Sequence, residues 1–183
     1  MHVTDILCNK MMRPSKPLLA AALLLSGVCT HAADLAAYAA RDAQRLVACM
    51  QAFDSDCANS LTYTKIAERH GLTRDQIDQR VGQMYRAMKS MNAKYSRFDL
   101  DKPWTPFVAR ELTYIFIPYR SVLETPEEKA SSQSYFVGVS DDSGSTWKFF
   151  DGQSITQDNV ASIIPGFRGG ELPPVSVSRS PTS

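Results

Sequence analysis

The period of the hydrophobic pattern changes once along this chain, at Asn92, and that switch constrains the fold more than any single motif. Ahead of it, apolar residues return at the three-to-four spacing of a helix face; behind it, they alternate. Leu35, Ala39, Leu46, Met50 and Phe53 form the first apolar stripe, with Arg41, Asp42 and Arg45 between them. This predicts an amphipathic helix of about five turns, broken at Phe53-Asp-Ser-Asp-Cys57. A second, shorter helix is expected from Ala58 to His70, stopped by Gly71. For the third, Thr73 is a good N-cap, and Gln76 completes a capping box. Ile77, Val81, Met84, Tyr85, Met88 and Met91 form its stripe. Methionine-rich faces suit adaptable binding grooves, but ordinary core packing accounts for this one.

Behind Asn92 the strand candidates are residues 95–100, 111–123, 132–139 and 147–150. A two-proline turn (101–106), a charged loop (125–130) and a short turn (141–145) separate them. The longest candidate contains Pro118, which cannot donate a ladder hydrogen bond and therefore marks an edge or a bulge. Thr156 caps a short helix through Ile163, ended by Pro165. Helices first and a meander second predict an α+β fold, with the helices on one face of a curved antiparallel sheet.

The start of the chain has the three parts of a cleavable secretory signal. Lys10, Arg13 and Lys16 form a cationic start, Leu18 to Val28 an apolar core, and Thr30-His31-Ala32-Ala33 a small-residue exit cut after Ala32 or Ala33. Met1, Met11 and Met12 are all candidate starts. The apolar core is far short of the roughly 20 residues a spanning helix needs, and Val28 is not the small residue expected before a lipidated cysteine. The expected organisation is residues 1–32 as signal peptide, 33–171 as a single domain and 172–183 as a disordered tail, whose apolar content is too low to fold. The location is periplasmic or secreted.

The whole chain has 183 residues, with 20 Lys/Arg against 19 Asp/Glu; removing residues 1–32 takes three basic groups and one acidic group, leaving 151 residues at net −1. So neutral a domain gives no electrostatic reason to bind nucleic acid, and no later segment is apolar enough for a membrane. Cys49 and Cys57 are the cysteines left. An even pair in an exported chain predicts a disulfide, worth about 2.6 kcal/mol for a nine-residue loop on the chain-entropy model. A metal site normally needs more ligands, and the spacing is not that of a Cys-x-x-Cys redox motif.

Residues 140–147 fit Ser-x-Asp-x-Gly-x-Thr-Trp, the Asp-box. The Asp142 carboxylate can accept backbone N–H groups across a turn, Gly144 supplies a positive φ, and Trp147 covers the turn. Ser140, Asp142, Gly144 and Trp147 are therefore expected as structural residues of a hairpin. The motif resembles the repeats of sialidases and other propeller glycosidases, where it recurs at blade turns away from the catalytic site. Here it occurs once, in a domain too short for several four-stranded blades.

The longer stretch from Ser134 to Gly152, with Ile164-Pro165-Gly-Phe and Glu171-Leu-Pro-Pro174, carries a wider resemblance. Together with Ile117-Pro118 and Met88-Lys89, it is similar to the C-terminal half of an uncharacterised group of small exported bacterial proteins. That group has the nuclear transport factor 2-like fold, the cone shared with ketosteroid isomerases. The resemblance runs from Cys57 to Pro174 and implies helices over a cone-shaped sheet; pairing of two such sheets would give a homodimer. The chain departs from the group in having His70-Gly71 where Gly-Gly is expected, and in a short or missing strand between the second and third helices. The group has no settled activity.

No catalytic residue, metal or cofactor is expected. His70 is the single histidine after residue 32 and sits at a helix end, where a cationic side chain suits the dipole. No Gly-x-Ser-x-Gly elbow, phosphate-binding glycine loop or carboxylate-rich metal loop is present. Asp54 and Asp56 read as turn and cap residues. The expected function is a non-enzymatic binding domain for a protein or small ligand, one form being an inhibitor or immunity-type protein. The alternative is a small-molecule enzyme with a ketosteroid-isomerase-like pocket, pairing a buried carboxylate with tyrosine donors. Tyr38, Tyr63, Tyr85, Tyr114 and Tyr135 are the candidate donors, and Asp99 and Glu111 lie on or near strands, with nothing in the sequence that places them together. An open interior with a carboxylate and a tyrosine favours the enzyme; an interior filled by Met84, Met88, Phe116 and Tyr135 favours the binder.

Overall fold

The structure, a computed structural model, describes residues 22–168 and 170–182, with side chains from Ala32 onward. The cationic start of the expected signal lies outside the described residues. Helix α1 spans Ala22–Gln51. It begins well before the predicted Leu35 and runs unbroken through the expected cut, because Ala and Leu, among the best helix formers, crowd this stretch. Ala39, Ala43, Leu46 and Val47 are its buried face.

The helix stops in a Schellman cap. The Phe53 N–H donates to Met50 O at 3.1 Å and the Asp54 N–H to Cys49 O at 2.9 Å, with Phe53 at φ +48. Glycine usually takes this position. Phe53 is held there by burial, its ring 5.7 Å from Tyr85 and 5.9 Å from Tyr95. Asp54 then caps α2 (Ser55–Leu61) by accepting the Cys57 N–H at 3.0 Å.

The predicted helix from Ala58 to His70 is two helices, α2 and α3 (Lys65–Arg69). Between them the chain leaves the helix to meet the sheet, where the Tyr63 N–H donates to Phe149 O at 2.8 Å. Thr62-Tyr63-Thr64 is a β-favouring run, and that local preference wins over the helical period. Helix α4 (Arg74–Ser90) starts with both bonds of the predicted capping box.

Six strands follow in one antiparallel sheet: β1 (Lys94–Leu100), β2 (Phe107–Ala109), β3 (Leu112–Glu124), β4 (Glu128–Ser140), β5 (Lys148–Asp151) and β6 (Ser176–Pro181). Strands β3 and β4 form the centre. β1 and β2 share the outer edge of β3, and β5 and β6 share the outer edge of β4. The fold is α+β with an open antiparallel sheet.

Two expectations fail here. Pro118 lies inside the central strand β3, opposite Tyr135, and not at an edge or bulge. The Asp101 N–H donates to Pro118 O at 2.8 Å. A residue of an antiparallel strand points its N and C=O the same way, so the missing donor faces the 101–106 crossover between β1 and β2, where the ladder is already interrupted. The tail is the second. Residues 176–181 pair with Glu128–Gln133, although their side chains are exposed. Composition speaks to side-chain burial; this strand is held by the backbone edge that the short β5 leaves open on β4.

Both faces of the sheet are buried. Ile115, Ile117, Tyr119 and Phe136 face the helices. Tyr114, Phe116, Tyr135 and Val137 face the other way, under a cover formed by Ile155, the short helix α5 (Val160–Ile163) and Ile164. Among the described residues no helix is long and apolar enough to cross a membrane.

Candidate functional site

Antiparallel β4 and β5 make the turn between them a hairpin, and the geometry of residues 140–147 explains its sequence. The Asp142 carboxylate accepts the Thr146 N–H at 2.9 Å, the Thr146 hydroxyl at 2.7 Å and the Ser140 hydroxyl at 2.7 Å. The Thr146 backbone bond and these two hydroxyls hold its pKa down at about 2. Gly144 sits at φ +92, and a Cβ there would fall 2.1 Å from Leu35 Cδ2, so α1 packs directly on the turn. The Trp147 indole is buried and donates to Gly144 O at 2.9 Å. Buried Asp42 of α1 accepts the Trp147 N–H at 3.2 Å, tying helix to hairpin. At the far end of α1, Cys49 and Cys57 form a disulfide with Cα atoms 5.6 Å apart, closing α1 onto α2.

The four side chains expected to share one interior do not. Met88 packs on the helix face and Met84 is exposed, whereas Phe116 and Tyr135 belong to the opposite face. A strand alternates its side chains; α1, α2 and α4 pack on one face, and α5 helps to cover the other. His70 ends α3, exposed. Asp99 pairs with Arg97 in β1, and Glu111 is exposed in the β2–β3 turn; the two do not meet. Tyr38 is exposed beneath Arg41, and Tyr85 lies in the helix-face core.

A carboxylate–tyrosine pair does occur, from residues outside the predicted set. The Tyr119 hydroxyl donates to Asp151 at 2.5 Å. Burial first, then the Asp151 charge, raises the Tyr119 pKa, so the phenol remains a donor. Asp151 also accepts the Gln153 N–H at 2.6 Å and the Ser134 hydroxyl at 3.4 Å. With three donors from its own chain, it ties β5 to the sheet centre.

The other end of the sheet is built differently. A groove of about 510 Å³ runs between α3 and the ends of β3 and β4, lined by Tyr63, Lys65, Glu68, Arg69, Leu112 and Asp141. A smaller recess continues it past Val139 and Thr146 to Lys148. Tyr63 is fixed at the rim by its backbone bond to Phe149 and by its ring, 6.1 Å from Phe150. Behind it lies Tyr114, stacked on Phe107 at 5.6 Å. Burial first, then Tyr63, raises the Tyr114 pKa, while the charges of Arg69 and Arg110 pull it back. Sequence alone singled out Tyr63 and Tyr114 but not the two arginines, since nothing in their spacing joins α3 to the β2–β3 turn.

No protein-family model, curated protein or solved structure matches the chain. What the molecule itself defines is an α+β domain with a disulfide-closed helical face and a groove at one end of its sheet.

Proposed function

We propose that this is an exported, periplasmic or secreted, non-enzymatic domain of nuclear transport factor 2-like architecture that binds a small ligand in the groove between α3 and the β4–β5 turn. The groove carries the proposal. Its volume lies within the range of about 300–1,000 Å³ usual for small-molecule sites, and Tyr63 and Leu112 line it together with the charged Lys65, Glu68, Arg69 and Asp141. The architecture is supported by α1, α2 and α4 gathered on one face of a long antiparallel sheet, and export by the N-terminal pattern and the disulfide. A fragment screen followed by amide chemical shifts on the isotope-labelled protein tests the reading. Shifts should concentrate on residues 63–69, 112 and 139–148. Hits confined to the neighbourhood of Tyr95, Tyr119 and Asp151 would contradict it.

That outcome would favour a second reading, a small-molecule enzyme whose acid–base pair is Tyr119 and Asp151. Its supporting observation is the 2.5 Å bond between them, beside the half-buried rings of Tyr95 and Phe98. Against it, Asp151 already serves three donors of the chain.

A further inference from the structure

We infer that the groove selects a small carboxylate with a flat apolar body, and that Arg69 and Arg110 read its charge. The inference rests on the groove being the ligand site and adds the chemistry of the ligand. Charge accounting comes first. Lys65 is committed to Glu68 at 3.2 Å, and Glu68 also accepts the Thr64 hydroxyl at 2.6 Å. Asp141 and Lys148 stand on the turn wall with opposite charges. Arg69 and Arg110 remain: both are exposed, and among the described residues neither has an ion-pair partner. The Tyr63 and Tyr114 hydroxyls likewise have no hydrogen-bond partner among the described residues. Arg69 lines the groove, and Arg110 stands in the turn two residues ahead of the lining residue Leu112; two uncommitted guanidinium forks and two phenolic donors at this end of the sheet call for an acceptor-rich group of negative charge. The planar guanidinium matches a carboxylate in two parallel bonds. Leu112 and the ring of Tyr63 supply the apolar wall for the rest of the ligand.

Arg110 adds an independent observation. It is the first residue of the two-residue turn joining β2 to β3, since Ala109 pairs with Leu112, and its φ is +57. Turns of this length require positive φ at that position and favour Gly, Asn or Asp. An arginine there is conformationally strained, the kind of local cost that collects at binding sites.

Benzoate, its neutral isostere benzamide and inorganic phosphate, each titrated into the isotope-labelled protein, test this. Benzoate should give saturable shifts at residues 63–69 and 110–114, with benzamide and phosphate at least tenfold weaker. Arg69→Gln and Arg110→Gly should each weaken benzoate at least tenfold, and Arg110→Gly should hold or raise the melting midpoint because it relieves the turn. Equal binding of benzoate and benzamide in the groove would overturn the charge selection and leave the groove as a ligand site. Phosphate as strong as benzoate would overturn the apolar body. Absence of all three from the groove would overturn both this inference and the reading beneath it. An unchanged benzoate affinity in both arginine variants would remove the residues assigned here.

Discussion

Asp142 and Arg69 stand at the same end of the sheet, and the fold treats them in opposite ways. The Asp142 carboxylate is surrounded by donors from its own turn, while the Arg69 guanidinium has no acidic partner among the described residues. A polar group saturated by its own chain lowers the energy of the fold and has little left for a ligand. One without a partner contributes little to folding and remains available. On the proposed reading the hairpin serves the fold and the groove beside it the ligand, although the hairpin is the part with a recognisable motif.

The comparison can be broken first at Trp147. Its indole is almost fully buried against α1 and closes the turn, so Trp147→Ala should cost about 3–5 kcal/mol in denaturant unfolding. A cost below 1 kcal/mol would show that the hairpin is not anchored in the core. Replacing Cys49 and Cys57 together by Ser should cost about 2–4 kcal/mol while leaving ligand shifts at the groove unchanged, because the disulfide lies at the other end of α1. Asp142→Ala should cost about 1–2 kcal/mol, the low end for charge-assisted bonds because the residue is exposed.

Its pH dependence sharpens the point. The folded pKa of about 2 lies below the unfolded value of about 3.9, so the contribution is complete above about pH 4 and is lost as pH falls toward 2. Between pH 5 and pH 2 the wild-type protein should lose more stability than Asp142→Ala; parallel curves would remove the carboxylate from the account. The smallest effect belongs to Arg69→Gln, expected within about 0.5 kcal/mol of wild type, as for a surface substitution without a partner.

Much of the architecture was legible because it rests on local chemistry. Thr73 and Gln76 announced the start of α4, and the switch of period after Asn92 announced the sheet. Gly144 and Trp147 announced the hairpin. What escaped depended on neighbours far along the chain. Strand β6 forms because β5 is short and leaves β4 an open edge, which the composition of residues 176–181 does not record. Thr62 and Tyr63 leave their helix to reach Phe149. Pro118 is tolerated at the centre because the crossover at 101–106 interrupts the ladder on one side. The groove is the extreme case: Tyr63 and Arg69 come from the helical half, and Leu112 and Asp141 from the strand half. Only the folded chain brings them together.

The most direct test measures stability and benzoate affinity side by side in Asp142→Ala and Arg69→Gln. Asp142→Ala should unfold more easily and, while folded, bind benzoate within twofold of wild type. Arg69→Gln should unfold like wild type and bind at least tenfold more weakly. The reverse pattern, with binding lost at Asp142 and stability lost at Arg69, would contradict the assignment of the turn to structure and the groove to function.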